Sequence, residues 1–259
     1  MEWHLEQRFQ IRRAADDIVR ARRVAALTGA GISVESGIPP FRGGGGLWDK
    51  YDPEEYGHID SFLRDPAKVW TMLREFVEVI AAAQPNPAHH ALAELERLGR
   101  LHCIITQNVD GLHQAAGSTD VVEFHGNNRW LVCMSCGRRF PAPGFSLDVL
   151  PPRCDCRGVL KPDAIFFGEL IPPEALNRAR KEAMACDIML VIGTSALVEP
   201  AASMPVMAAR CGNRVVEINP EETPLTASVA SYMLQGPAGA ILPVLAAEVR
   251  TLLGSERRQ

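Results

Sequence analysis

The chain has 259 residues, enough for one large or two modest domains with a core of their own. A hydrophobic fraction of 47% and a charged fraction of 22% are those of an ordinary soluble protein, and a formal charge of -4 leaves no polycationic surface, which disfavours direct nucleic-acid binding. Met1 to Arg23 mixes charges of both signs without the apolar core of a signal peptide. No stretch approaches the ~18 apolar residues of a spanning helix, so a cytoplasmic protein without a membrane partner is expected, its oligomeric state unknown.

Gln10 to Arg23 is predicted as a helix with Ile11, Ala14, Ala15, Ile18 and Val19 on one face. Val24 to Leu27 reads as a buried strand ending in Gly29-Ala30-Gly31-Ile32-Ser33, which leads on to Ser36-Gly37-Ile38-Pro39-Pro40-Phe41-Arg42. Gly43 to Gly46 follows as a flexible run, either a hinge or a passive loop. Asp52 to Ala83 carries several helical stretches with Phe62, Trp70 and Phe76, and reads as a helical insertion or lid. Asn86-Pro87 is an N-cap with a first-turn proline, and Ala88, Ala91, Leu92, Leu95 and Leu98 recur at helical spacing until Gly99. His89 and His90 on that helix have no metal ligands nearby in sequence and read as structural or solvated.

A second apolar strand, Cys103 to Ile105, delivers Thr106-Gln107-Asn108-Val109-Asp110-Gly111-Leu112-His113, and a third, Val121 to Phe124, delivers His125-Gly126. A cysteine module occupies about Asn127 to Leu160. Beyond it, Ile188 to Ile192 is a continuous apolar strand ending in Gly193-Thr194-Ser195, Ala201 to Ala209 is helical, and Arg214 to Ile218 is a strand ending in Asn219. Apolar strands alternating with helices imply a parallel sheet covered on both faces.

Cys103, Cys186 and Cys211 lie in or beside apolar runs and read as buried free thiols. The other four form Cys133-x2-Cys136, then 17 residues, then Cys154-x1-Cys156. In a reducing compartment two such pairs point to a metal rather than to disulfides.

Strands that end in glycines and polar residues leave backbone N–H groups free to face a phosphate, at the carboxyl edge where α/β proteins bind nucleotides. Gly29 and Gly31 satisfy two positions of G-x-G-x-x-G, but Val34 stands at the third, and a G-x-G alone is equally a plain strand-to-helix turn. Phe41-Arg42 strengthens the nucleotide reading, because arginine can hold a pyrophosphate bidentately and phenylalanine can screen a reactive carbon from water. The residues point to a dinucleotide site.

Gly29 to Ser33, Ser36 to Gly43, Thr106 to His113, His125-Gly126, Phe167-Gly168-Glu169, Gly193-Thr194-Ser195 and Glu217-Ile218-Asn219, in that order over nearly the whole chain, resemble the sirtuin set. Sirtuins are NAD-dependent protein lysine deacylases. The resemblance implies a Rossmann-like, mostly parallel sheet with helices on both faces (1–44, 85–126 and 161–259) and a small domain made of a helical module (45–84) and a zinc module (127–160). It implies removal of acetyl or another neutral acyl group from protein lysines, giving nicotinamide, O-acyl-ADP-ribose and free lysine. The other uses of such a site are protein mono-ADP-ribosylation and non-enzymatic NAD sensing.

By the same resemblance His125 is the general base that accepts the proton of the ribose 2′-hydroxyl, suited to it by a pKa near neutrality. Asn108 orients the ribose or an ordered water, Asp110 binds the nicotinamide carboxamide, and Gln107 bonds the nicotinamide ribose. Gly29, Ala30, Gly31 and Phe41 belong to the NAD site, Ser33 and Arg42 contact phosphates, and Gly193, Thr194, Ser195 and Asn219 meet phosphate and ribose. His113 supports its loop. The backbone of Ile165 accepts the acyl-lysine N–H, and Phe167, Gly168 and Glu169 form the edge where substrate pairs as an added strand. Cys133, Cys136, Cys154 and Cys156 hold a structural zinc.

Pro40 departs from the acidic residue or threonine that many members have there, and removes a backbone donor. Members that prefer dicarboxylic acyl groups carry a tyrosine and an arginine three and six residues beyond a tryptophan. Here Trp70 is followed at those positions by the apolar Leu73 and Phe76, and Arg74 points about 100° away from Leu73 on a helix. Neutral acyl groups are therefore expected.

Overall fold

A computed structural model describes residues 5–41 and 43–256. Its strands, in chain order, are β1 (Val24–Thr28), β2 (Cys103–Thr106), β3 (Val121–Glu123), β4 (Gly126–Cys133), β5 (Arg139–Pro141), β6 (Leu160–Ala164), β7 (Ile188–Ile192), β8 (Arg214–Asn219) and β9 (Tyr232–Gln235). Six of them form one sheet in the order β3-β2-β1-β7-β8-β9, every pairing parallel.

Alternation along the strands divides the apolar residues between two faces. Val24, Ala26, Ile104, Leu190 and Val216 join one core with residues of the helices Leu5–Arg20, Pro87–Arg97 and Ala238–Glu256. Ala25, Leu27, Ile105, Met189 and Val215 join the other, against Ala179 and Ala183 of the helix Pro173–Ala185 and Met204 and Ala208 of the helix Ser203–Arg210. Burial on both faces is why the strands read as unbroken apolar runs. The winding reverses between β1 and β7, so the crevice outside their carboxyl ends is where a ligand site belongs.

Three expectations need correction. The first helix runs from Leu5 to Arg20, starting and stopping earlier than read. One stretch does reach the length and composition of a span: Ala238–Ser255 has a mean hydropathy of 1.3. Ile241, Leu242, Leu245, Ala246 and Val249 on that helix lie in the core between sheet and neighbouring helices, so packing accounts for its apolarity. Cys211 is exposed in the turn after the helix Ser203–Arg210, whereas Cys103 and Cys186 are buried as expected.

The remaining strands form an antiparallel sheet in the order β5-β4-β6. It packs on the helices Leu47–Lys50, Pro53–Tyr56, Ile59–Arg64 and Pro66–Ala82 through Phe62, Val69, Trp70, Leu131, Leu160 and Phe166. The Trp70 indole N–H donates to the Leu160 carbonyl at 2.8 Å, tying helical module and cysteine module to one core. The small sheet runs on to Ala164, past the boundary read at 160.

Candidate functional site

The carboxyl ends of β1 and β7 interlock through glycine. The Gly31 N–H donates to the Gly193 carbonyl at 2.8 Å, and a Cβ on Gly31 would stand 2.7 Å from Gly193 Cα. A Cβ on Gly193, whose φ is +58°, would stand 2.4 Å from the Ile32 nitrogen. Only glycine allows this approach, which packs the 3₁₀ turn Ala30–Ser36 against the β7 loop.

Beside it, the loop after β2 is fixed by its own amides. Asn108 Nδ2 donates to the Gly29 carbonyl and to Ser33 Oγ, each at 3.1 Å, and Gln107 Nε2 donates to Thr194 Oγ1 at 3.0 Å. The Asp110 carboxylate accepts from Ser33 Oγ at 2.7 Å and from the Leu112 N–H at 2.9 Å. Burial pushes the Asp110 pKa up despite these donors. Ser33 is 1% exposed, with its hydroxyl committed to Asp110 and Asn108, so it braces this loop rather than meeting a phosphate as the sequence reading has it. Asn219 Nδ2 donates to the Thr194 carbonyl at 3.1 Å, which holds the ends of β7 and β8 together.

His125 stands between β3 and β4. Its Nδ1 lies 3.1 Å from the Gln107 carbonyl, and since a carbonyl can only accept, Nδ1 carries the proton and Nε2 is the basic nitrogen. Burial lowers its pKa, opposed by that bond, so the ring is neutral at pH 7. The next residue, Gly126, has φ +73° and lies against β6, and the Ile165 N–H donates to the His125 carbonyl at 2.9 Å. The histidine is thereby coupled to the loop Ile165–Glu169.

That loop is pinned from both sides. Phe167 exchanges backbone hydrogen bonds with Gly57 and Ile59, each at 2.9 Å. Below it, the buried Lys161 donates from Nζ to the Ala164 carbonyl at 2.6 Å and to Glu169 Oε2 at 2.9 Å, and the same carboxylate oxygen takes the Phe166 N–H at 2.7 Å. The Glu169 side chain thus shapes the loop. The Ile165 carbonyl accepts no hydrogen bond among the described residues.

These segments enclose one cleft of about 930 Å³. Gly29, Ala30, Gly31, Phe41, Gln107, Asn108, His125, Ile165, Phe167, Gly168, Glu169, Gly193, Thr194, Ser195 and Asn219 all line it, while Ser33 and Asp110 stand behind its wall and Arg42 lies outside the described residues. Leu73 and Phe76, the apolar residues expected beside the acyl group, line one end of the cleft, and Leu47, Trp48 and Met72, which the sequence did not single out, complete that apolar end. Phe41 sits among them, 5.5 Å from Trp48 and 5.9 Å from Phe76 between ring centroids. The described lining holds five glutamates and no lysine or arginine, and Arg74 opens instead onto a separate groove with Glu75, Glu78 and Asp148. The Pro40 carbonyl accepts from the Leu47 N–H at 2.8 Å, so this turn uses the proline's acceptor.

In the small domain, the Sγ atoms of Cys133, Cys136, Cys154 and Cys156 all lie within 4.8 Å of one another. Cys133 and Cys156 are 3.5 Å apart, and Cys136 and Cys154 3.8 Å. Zn–S bonds of about 2.3 Å in a tetrahedron give an edge near ~3.8 Å. The one-residue spacing of Cys154 and Cys156 is accommodated by a turn with Arg157 at φ +67° and by Gly158, where a Cβ would stand 2.7 Å from Cys133 Sγ. Backbone N–H groups, that of Cys136 first, pull the Cys133 thiol down towards the thiolate a metal needs, and the Gly158 N–H acts the same way on Cys156, although the three neighbouring thiols push that one up in the metal-free cluster. The donor set fits zinc.

The Sir2 family model matches residues 29–200. An NAD-dependent protein deacylase 1 of Archaeoglobus fulgidus is 47% identical over 237 residues, covering 91% of this chain and 96% of the relative. A Sir2 homologue solved in complex with NAD superposes with a TM-score of 0.88 at 45% identity, covering 96% of each chain. Another Sir2 structure, bound to acetylated peptide, has a TM-score of 0.84 at 33% identity and covers 92% of this chain and 98% of its own. With the glycine interlock, His125 and the four-thiol cluster in place, the chain belongs to the Sir2 family.

Proposed function

We propose that the protein removes acetyl or another neutral acyl group from protein lysines with NAD as co-substrate, consuming one water and releasing nicotinamide, O-acyl-ADP-ribose and free lysine. One observation carries this: a neutral imidazole, with Nδ1 committed to the Gln107 carbonyl, stands in a wall shared by the strand-end glycines and the Ile165–Glu169 loop. NAD supplies a ribose carbon that loses nicotinamide and takes the acyl oxygen. Gly29, Ala30, Gly31, Gly193, Thr194, Ser195 and Asn219 receive the dinucleotide, with Arg42 on a phosphate. Gln107 and Asn108 hold the nicotinamide ribose, and Asp110 turns to the carboxamide. His125 Nε2 accepts the proton of the ribose hydroxyl. The Ile165 carbonyl takes the acyl-lysine N–H, and the backbone around Gly168 pairs with the substrate chain. Phe41 and its aromatic neighbours keep water from the reacting carbon.

Zinc on the four cysteines closes their coordination and contributes folding free energy, leaving no position for substrate. Four thiols gathered at metal-binding distance fit a reducing compartment, and we place the protein in the cytoplasm on that ground. The test is nicotinamide release by purified protein with NAD, with and without an acetyl-lysine peptide. Release only with the peptide supports deacylation; equal release without it rejects the reading.

A further inference from the structure

Behind the loop Gln107–Asp110 runs a strip of buried polar side chains with no part in the chemistry above. Thr28 and Thr106 close adjacent strands with their hydroxyls 2.9 Å apart, at 0% and 3% exposure. Thr106 Oγ1 accepts the Asn108 N–H at 3.1 Å, and His113 Nε2 lies 2.9 Å from Thr28 Oγ1. Thr28 has one proton to give, and giving it to Thr106 leaves its oxygen to accept from His113 Nε2–H, so His113 Nδ1 is a bare lone pair. The His113 ring meets the His89 ring edge to face at 4.9 Å. His89 Nδ1 accepts from the Asn86 backbone N–H at 3.4 Å, which puts the His89 proton on Nε2. Asn86 Nδ2 in turn donates to the Ile32 carbonyl at 2.7 Å and to Ser36 Oγ at 3.0 Å, on the turn that carries Ser33.

Two atoms of the strip, His89 Nε2 and His113 Nδ1, are buried without a partner, and by the same reasoning one is a donor and the other an acceptor on adjacent rings. From Asn86 onward the donors point towards Thr106 Oγ1, which also takes the Asn108 N–H from the other side, and the strip anchors from behind both walls of the cleft that meet at Ser33, Asn108 and Asp110. Protonating either ring would bury an unpaired charge. Burial accordingly lowers both, His89 to about 4 and His113 to about 3.

We propose that His113 and Thr28 are positioning residues of the reaction: through Thr106 they fix the Asn108 backbone, and with it the nicotinamide end of the cleft. The assignment rests on the deacylase reading. A strip that only filled space would be indifferent to the Thr28 hydroxyl; one that positions Asn108 needs the hydroxyl more than the methyl.

Two substitutions separate these. Thr28→Val keeps the volume and removes the relay, whereas Thr28→Ser keeps the relay and loses a methyl. At saturating NAD and acetyl peptide, normalised to folded protein, Thr28→Val should lower kcat at least fivefold with the peptide KM within twofold, and Thr28→Ser should stay within twofold of the parent even if its Tm falls. A smaller loss in Thr28→Val, or an equal loss in Thr28→Ser, overturns the proposal. Should Thr28→Val fail to fold, long-range ¹H–¹⁵N spectra of the parent decide: both His89 and His113 should carry their proton on Nε2 and stay neutral at pH 6, and a proton on His113 Nδ1 overturns the assignment. A parent without deacylation but with this tautomer pattern would refute the activity and leave the strip intact.

Discussion

Gly126→Ala tests the joint between His125 and the Ile165–Glu169 loop. Gly126 has φ +73°, and a Cβ there would stand 2.0 Å from the Asp163 carbonyl oxygen and 3.1 Å from Ala164 Cα, backbone atoms that cannot swing aside. The left-handed conformation alone costs about 1–2 kcal/mol with a side chain. Relieving the clash means parting β4 from β6, which strains the Gly126–Ala164 pairing and the bond from the Ile165 N–H to the His125 carbonyl, at about 1 kcal/mol each. A stability loss of about 3–4 kcal/mol follows. Displacing His125 from the substrate loop by about 1 Å should lower kcat/KM on the order of 100-fold. Gly99→Ala is the control, because Gly99 has φ +69° with nothing within 4 Å of the added Cβ, at the end of the helix Pro87–Arg97. It should lose only the conformational term and keep its kcat/KM. Urea unfolding and steady-state kinetics on both variants, at equal zinc content, read the difference. A Gly126→Ala enzyme within fivefold of parental kcat/KM, or no less stable than Gly99→Ala, would refute this reasoning.

His125→Ala should lower kcat ~10²–10⁴-fold while NAD binding by calorimetry stays within a few-fold. Burial lowers the His125 pKa from its ordinary 6.5, and the base acts neutral, so kcat/KM should hold through neutrality and fall only as pH drops below that ordinary value; a limb above it would contradict the assignment. Lys161→Met removes the cation that fixes Glu169, at about 3 kcal/mol, and should raise the peptide KM more than the NAD KM; the reverse order would show that this pair does not shape the substrate loop. Metal analysis should find about one zinc per chain, and Cys156→Ser should destabilise the small domain, whereas an equally stable and active metal-free protein would refute a structural site. A succinyl-lysine peptide should be a poor substrate beside its acetyl counterpart, because Met72, Leu73 and Phe76 offer no cation and the described cleft lining carries only glutamates as charged groups; a succinyl preference would place a cation there that this account lacks.

Strand ends and caps were legible because backbone chemistry restricts which residues can stand there. Gly29, Gly31 and Gly193 mark close approaches that a side chain would block, and Asn86 caps its helix as the Asn-Pro pair announces. The parallel sheet was legible from its unbroken apolar runs. The small antiparallel sheet was hidden because β5 has three residues, β6 begins Leu-Lys-Pro, and neither alternates clearly. The strand β9 escaped for its brevity at the sheet edge. The four thiols could be grouped by spacing, but only the fold shows that the tighter second pair closes the same tetrahedron. Ser33 was misread and the Glu169 side chain left open for a shared reason, and the support that His113 was expected to give its loop had no partner in view. A polar side chain in a motif does not say whether it faces the ligand or braces the residue that does, and that depends on long-range partners: Asp110 for Ser33, Lys161 for Glu169, Thr28 for His113.

The most direct measurement follows one acetyl-lysine peptide and NAD through the purified enzyme by mass spectrometry, quantifying every product. Nicotinamide, deacetylated peptide and O-acetyl-ADP-ribose should appear in equal amounts, and all three should form at least ~100-fold more slowly with His125→Ala. Nicotinamide formed without loss of the acetyl group, or ADP-ribose found attached to protein in place of O-acetyl-ADP-ribose, would contradict the deacylase reading.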